Sequence, residues 1–191
     1  SAMVRIAEAA LQVWGRAGGH QVPGARIGIA SGNGGDHQFF GTAVESVVQE
    51  NTKTNMEKLA AFKDDKAKFL PKKTYKDMLT IGSGKDAIDL YYFGPGHTNG
   101  DSFVVFRFLR AMHAGDMFPW KEAPLIDRNN GGSGVEWPKT IDKVLKNVRG
   151  VDIVIGGHRP VATWKDLDEY QRYTADLLSA SQAALQAGKS V

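Results

Sequence analysis

The sequence predicts an α/β domain. Short runs rich in β-branched and aromatic residues indicate strands at residues 87–93, 102–108 and 151–155. Two longer segments carry apolar residues at spacings of three and four, which is typical of helices that pack by one face. The chain has 191 residues, enough for one domain with a substantial core. We therefore expect a mixed sheet with helices on the outside.

The helical segments can be bounded from their first turns. Pro138 suits the opening turn of one helix, and an apolar stripe follows it at Ile141, Val144, Leu145 and Val148. The last helix is predicted to begin at Thr163, because Asp166 lies three residues further on, in the spacing of a capping box. Combining strands and helices, we expect a core of Ile88, Leu90, Val104, Phe106, Ile153, Ile155, Leu177 and Leu185.

The earlier part of the chain is predicted from the same local patterns. Apolar spacing indicates a helix at residues 4–17 and another from Asn51 or Thr52 to about residue 62, with Met56, Leu59 and Ala60 inward. The other expected elements are short strands at residues 25–30, 44–49 and 78–81, a turn at 82–85, and loops at 31–37, 63–76 and 119–134.

Composition excludes several classes of function. The net charge is +3 and the basic residues are interspersed with acids, so we expect no nucleic-acid partner. No apolar run approaches the roughly 20 residues of a membrane span, and no secretory segment opens the chain. A cytoplasmic location is therefore the default expectation. Cysteine is absent, which removes disulfides, thiol nucleophiles and thiolate ligands.

Polar side chains follow three of the predicted strands at glycine-containing ends. His97 stands in Gly-His-Thr-Asn-Gly-Asp, Asp116 in His-Ala-Gly-Asp, and His158 in Gly-Gly-His. Glycine lets the backbone turn sharply and lets a ligand approach closely. Imidazole and carboxylate groups are ligands for Zn²⁺ and other first-row metals. The three motifs together therefore predict a metal site.

In these motifs the chain resembles the metallo-β-lactamase-fold hydrolases, over about residues 47–191. The resemblance implies an αββα sandwich, with His97, Asp116 and His158 as ligands of one or two zinc ions. It also implies that the aspartate bridges the two metals in dinuclear members. His113 lies three residues before Asp116, where an outer-shell role is one possibility, and His20 is expected in a turn, away from the metal.

The beginning of the chain departs from this family. Its first metal motif, His-x-His-x-Asp-His, has a partial match only at Asp36 and His37, where the first two histidines would be Gly32 and Gly34. We expect Asp36 to be catalytic and His37 to bind metal only if this loop lies where the family motif would. Residues 1–44 instead weakly resemble the C-terminal end of sterol-carrier-type thiolases. The sequence therefore indicates a single domain that is a truncated or recombined sandwich, with a foreign segment joined to residues 45–191.

Two functions remain open from the sequence. The resemblance implies a metal-dependent hydrolase, impaired by the incomplete first motif, that acts on a small-molecule lactam, ester or thioester. The alternative is a folded fragment or chimera that keeps the scaffold without efficient chemistry. In either case we expect a homodimer, because lost N-terminal strands would leave an apolar sheet face open, with Leu90, Tyr92, Val105 and Val154 among the candidates.

Overall fold

The computed structural model describes residues 18–20, 46–158 and 160–189. The helix predicted at residues 4–17, the strand at 25–30 and the loop at 31–37 lie outside the described residues. The strands are β1 Val47–Gln49, β2 Lys73–Tyr75, β3 Met78–Ile81, β4 Ile88–Tyr91, β5 Phe103–Phe106, β6 Ala111–Gly115, β7 Ile153–Gly156 and β8 Ala162–Thr163. The α-helices are α1 Glu50–Lys58, α2 Trp137–Asn147 and α3 Trp164–Gln186.

Backbone contacts divide the chain into two compact units. Among the described residues, the first contains Met56–Lys72 and the second contains Val47–Asn55 and the chain from Lys73 onward. None of the helices in the described part of the chain is long and apolar enough to cross a bilayer.

The segment Met56–Lys72 corrects two predictions. Helix α1 ends at Lys58, because Leu59 is extended (φ −75°, ψ 136°) and its N–H donates to the Met56 carbonyl at 3.0 Å. The side chain of Leu59 is 42% exposed, so the expectation that it faces inward is wrong, whereas Met56 is buried. A 3₁₀ helix at Asp64–Phe69 also replaces part of the loop predicted for residues 63–76.

Six of the described strands form one sheet in the second unit, in the order β3-β4-β5-β6-β7-β8. Neighbouring strands are antiparallel, except that β6 and β7 are parallel. Strands β1 and β2 pair in parallel as a separate small sheet. The prediction of a mixed α/β domain is confirmed. Strand β2 lies where a loop was predicted. The sequence around Lys73–Tyr75 is charged and has no strand pattern of its own, and it becomes a strand by pairing with β1, which is distant in sequence.

The main core fills the space between one face of the large sheet and helices α2 and α3. Phe103, Val105 and Val154 point into it from β5 and β7. The helices contribute buried residues at the predicted helical spacing, namely Ile141, Val144, Val148, Leu167 and Tyr170. At roughly 25 cal/mol per Å², such burial is the main force that holds the helices to the sheet.

The predicted core was wrong in the phase of two strands. Ile153 is 42% exposed, and Val104 and Phe106 are only half-buried. Side chains alternate across a sheet, so a shift of one residue moves every side chain to the other face. Val105 and Val154 were expected on an open face, and they lie instead in the helix-side core.

The opposite face of the sheet carries a second cluster. Ile88 and Leu90 are buried there, as predicted, together with Tyr75 from β2. Half-buried apolar residues pack around them, namely Val47, Leu79, Ile81, Tyr92, Val104 and Phe106. The small sheet therefore covers the β3–β5 part of this face.

Helix α3 begins with the predicted capping box. The Thr163 hydroxyl accepts from the Asp166 N–H at 3.2 Å, and the Asp166 carboxylate accepts from the Thr163 N–H at 2.8 Å. Residues of this helix are buried only as far as Thr174. Leu177 and Leu185 are 38% and 71% exposed, so their predicted place in the core is wrong.

An ion pair between the buried Asp89 carboxylate and the half-exposed Arg107 side chain joins β4 to the turn after β5. Asp89 is 2% exposed, and its carboxylate accepts hydrogen bonds from the Arg107 guanidinium and from the Thr80 hydroxyl at 2.7 Å. Burial by itself would raise the pKa of Asp89, but these hydrogen bonds outweigh it and lower that pKa below its usual value.

We expect the free energy of unfolding to depend less on pH in the acidic range for Asp89→Asn than for the wild type. Because the pKa of Asp89 is lower in the folded chain, its contribution is present above about pH 4 and is lost as the pH falls through the lowered value. Urea denaturation at a series of pH values should show a flatter acid limb for the variant and a lower free energy of unfolding near neutral pH. Asp142→Asn, which removes an exposed pair with Lys146, is the control. Parallel pH curves for Asp89→Asn and the wild type would contradict this account.

Candidate metal centre

His97 lies in a tight loop between β4 and β5. The Gly96 N–H donates to the Thr98 carbonyl at 2.8 Å, and the Thr98 N–H donates to the Asp101 carboxylate at 2.6 Å. A Cβ on Gly96 would lie 2.3 Å from the Met117 sulfur, so this position has no room for a side chain unless Met117 moves. The absence of a side chain at Gly96 therefore lets Met117 pack closely against this loop.

The Asp101 carboxylate orients the His97 ring. It lies 3.2 Å from Nδ1, and an ionised carboxylate can only accept, so Nδ1 carries the hydrogen. This hydrogen bond raises the pKa of His97, against the opposing effect of burial. The other ring nitrogen, Nε2, lies 3.8 Å from the nearer Asp116 oxygen.

Asp116 and His158 meet because they follow β6 and β7, which are parallel neighbours. The carboxyl ends of these strands lie at the same edge of the sheet, and the His158 Nε2 lies 3.0 Å from one Asp116 oxygen. A register shift between His113 and Gly115 bulges β6 just before Asp116, with Gly115 at φ 52°. Bulges of this kind re-aim the side chain that follows them.

Gly157 leaves the space that the Asp116 carboxylate occupies. A Cβ built on Gly157 would lie 1.9 Å from Asp116 Oδ1, closer than any real contact. The glycine before His158 therefore serves packing against the carboxylate. The sequence motif indicated a strand that ends in glycines, but it did not show that the Asp116 side chain fills the space beside Gly157.

These three side chains border a cleft of about 420 Å³. Its other lining residues come from the loop after Asp116 and are Pro119, Glu122, Ala123 and Leu125. The loop predicted at residues 119–134 therefore borders the same cleft as the three side chains. Leu125 is 74% exposed, so the rim of the cleft presents an apolar side chain to solvent.

The tryptophans near this loop have different surroundings. Trp137 is 1% exposed and belongs to the core, and its indole N–H donates to the Met117 carbonyl at 3.2 Å. Packing, rather than cleft lining, is therefore its role. Trp120 is half-buried and packs against the same core, with its ring 6.2 Å from that of Phe118.

Asp116 lies between His97 and His158. One of its oxygens is 3.8 Å from the His97 Nε2, and the other is 3.0 Å from the His158 Nε2. Within the described residues, no group of three or more His, Cys, Asp or Glu side chains converges as a formed metal cage. Asp36 and His37 lie outside the described residues, as does the side chain of His20. The His113 ring accepts from the Gly115 N–H at 3.0 Å.

Sequence reasoning missed a set of side-chain amides around the His97 loop. Asn51 and Asn55 on α1 donate to Asn99, two residues after His97. Asn130, in the loop that follows Asp116, also contacts Asn99 through its carbonyl. These residues are far apart in the chain, and their separations follow no local pattern that could have predicted the contact.

Comparison with known proteins identifies the fold. No protein-family model matches the chain. A curated relative, metallo-beta-lactamase type 2 of Bacteroides fragilis, is 27% identical over 89 residues, which are 47% of this chain and 36% of that protein. The solved DIM-1 metallo-β-lactamase is 16% identical, with a TM-score of 0.61 over 74% of this chain and 63% of that one.

A metallo-β-lactamase from Pontibacter korlensis is 19% identical, with a TM-score of 0.56 over 70% of this chain and 59% of that chain. The chain therefore has a metallo-β-lactamase fold, as its motifs predicted. It spans about a third of the curated relative and about three fifths of these structures. Neither the relative nor the structures support the resemblance of residues 1–44 to thiolases.

Proposed function

We propose that this chain is a metal-dependent hydrolase that directs a metal-activated water at a lactam, ester or thioester. The observation that carries the proposal is the meeting of His97, Asp116 and His158 beside a cleft, where His97 follows β4 and the other two follow the neighbouring strands β6 and β7. The fold suggests a hydrolase, and the side chains at the cleft have the chemistry that such a hydrolase requires.

The donor set fits a zinc ion. Two imidazoles and one carboxylate are the three protein ligands of many catalytic zinc sites, which keep a further position open. Asp101 on the far nitrogen of His97 matches the carboxylate partner that orients zinc-binding histidines. Bound zinc would lower the pKa of its water towards about 7 and polarise the substrate carbonyl.

The chain's own residues would bind and orient the substrate. Asp116 can interact with both histidines, because one of its oxygens faces the His97 ring and the other faces the His158 ring. Pro119, Ala123 and Leu125 form an apolar wall that suits an uncharged part of a small molecule. Glu122 adds a negative charge to the same lining.

A second ion would need ligands from the N-terminal segment. Asp36 and His37 are the candidates there, with Asp116 and His158 shared between the two positions. Gly32 and Gly34 stand where the family has two more histidines, and glycine offers no side-chain ligand. We therefore propose one principal zinc at His97, Asp116 and His158, with hydrolysis weaker than that of a complete dinuclear site.

The same glycines support the second candidate, a scaffold without efficient chemistry. Zinc content and turnover together distinguish the two functions. Protein purified without chelator should contain about one zinc per chain, melt at a higher temperature with added zinc, and hydrolyse a chromogenic cephalosporin or an aryl thioester. Zinc binding without turnover would favour the scaffold, and a chain that binds no zinc would overturn the proposed metal site.

Gly157→Ala should weaken zinc binding without unfolding the chain. The added Cβ would collide with Asp116 Oδ1, so the carboxylate must swing away from His158. We expect at least a tenfold loss of zinc affinity, of the size seen when ligand orientation is disturbed. Gly19→Ala is the matched control, since its Cβ meets none of the described residues within 4 Å. Equal zinc affinity for both variants would contradict the role of Gly157.

We also propose that the chain forms a homodimer. Ile153 and Val161 are 42% and 61% exposed at the β7–β8 edge, and Phe108 and Leu109 are 68% and 62% exposed at the β5–β6 turn. Burial of about 800 Å² per partner would be ordinary for such a surface. Ile153→Lys should shift the dimer towards monomer, whereas Leu185→Lys, at an exposed apolar position on α3, should not. A sedimentation mass near 20.8 kDa at every micromolar concentration would exclude the dimer.

A further inference from the structure

Helix α1 is joined to the His97 loop by three polar side chains. The Asn51 amide donates to the Asn99 carbonyl at 2.7 Å, and the Thr52 hydroxyl donates to the Gly100 carbonyl at 2.7 Å. The Asn55 amide donates to the Asn99 side-chain oxygen at 2.8 Å. A Cβ on Gly100 would lie 2.3 Å from the Thr52 oxygen, so the helix and the loop are in direct contact.

Asn55 also reaches the loop that lines the cleft. Its amide nitrogen lies 3.2 Å from the Asn130 carbonyl, which accepts a second hydrogen bond from the Asn99 N–H at 3.0 Å. An amide nitrogen carries two hydrogens, so Asn55 can donate to both loops at once. Asn55 is 8% exposed, and a buried donor that loses its partners costs free energy, so this geometry is strongly favoured.

The two loops are themselves held together around His97. The Asp127 N–H donates to the His97 carbonyl at 2.9 Å, and the Ser133 N–H donates to the Gly96 carbonyl at 2.8 Å. A Cβ on Gly132 would lie 2.2 Å from the His97 carbonyl oxygen, so the backbones are in close contact at this point. A displacement of the cleft-lining loop would therefore move the backbone of His97.

We propose that Asn55 is a positioning residue for His97. It joins the loop that carries His97 to the loop that lines the cleft, and so fixes where the imidazole stands relative to Asp116. The inference rests on the proposed role of His97 as a metal ligand. Removing the Asn55 amide leaves the backbone hydrogen bonds between the two loops but removes their side-chain link. The loops should therefore shift relative to each other, and zinc binding should weaken about 10–100-fold, as it does when a residue that orients a metal ligand is changed.

The test compares variants by NMR of the metal-free protein and by zinc competition with a chelator. Asn55→Ala and Asn55→Asp should both move the His97 ring and Asn99 backbone resonances, because each lacks the amide donor. Thr54→Ala should move neither, since within the described residues its exposed hydroxyl bonds only to the Glu50 carbonyl. Val148→Ala, in the core at the far end of α2, should lower the melting temperature without moving the His97 resonances.

The two readouts separate this inference from the proposed function. If the wild type binds no zinc, the metal site fails, and the His97 resonances still decide the role of Asn55. The positioning role is overturned if Asn55→Ala leaves the His97 resonances unchanged, or if Asn55→Asp retains the wild-type resonances and zinc affinity. A shift of the His97 ring in both Asn55 variants, with a 10–100-fold weaker zinc affinity, supports it.

Discussion

Asp116→Ala is expected to abolish zinc binding and leave the fold intact. Asp116 contacts both histidines of the candidate centre, so its loss removes a ligand and the group that links the other two. Mutation of a residue that hydrogen-bonds to a metal ligand typically weakens metal binding about 10–100-fold. Removal of a ligand itself should therefore weaken zinc binding by more than about 100-fold. Its side chain is 36% exposed, so truncation leaves no large cavity in the core.

Thermal melting with and without zinc measures this effect. A ligand at 100 times its dissociation constant stabilises a protein by about 2.7 kcal/mol, and the variant should lose that increment entirely. Asp168→Ala is the control, because Asp168 is exposed and, in the described part of the chain, its carboxylate pairs only with Arg172 one helical turn away. An unchanged zinc-dependent rise in the melting temperature of Asp116→Ala would show that the metal binds elsewhere.

Among these substitutions, Trp137→Ala is expected to produce the largest loss of stability. Trp137 is 1% exposed and lies among the largest fully buried side chains of the described residues. Truncation of a buried tryptophan typically costs about 3–5 kcal/mol, because the lost contacts and the cavity both contribute. At about 2–4 °C per kcal/mol for a chain of this size, the melting temperature should fall by about 6–20 °C.

The change should also reach the candidate centre. The Trp137 indole N–H donates to the carbonyl of Met117, which directly follows Asp116, and a Cβ on Gly96 would lie 3.5 Å from the Trp137 ring. Trp137→Phe loses the donor and part of the ring but retains most of the apolar volume, so its cost should be smaller, about 1–3 kcal/mol. Urea denaturation of both variants tests this order, and a loss below about 1 kcal/mol for Trp137→Ala would contradict the assigned packing.

Local features of this chain were readable from its sequence. The capping box at Thr163 and Asp166 and the inward stripe of α2 depend on residues within a few positions of one another. The motifs at His97, Asp116 and His158 also predicted which side chains would stand at strand ends. The structure places all three beside one cleft, because the sheet pairs β6 with β7 and the His97 loop follows β4.

Only the tertiary structure decided which face each strand buries. In β5 and β7 both faces are apolar, so the sequence has no polar alternation that could distinguish Val104 from Val105 or Ile153 from Val154. Packing of α2 and α3 selects one face, and the other is covered where β2 contributes Tyr75. The hydrogen bonds of Asn55 span 44 and 75 residues, and contacts over such separations exist only after the chain has folded.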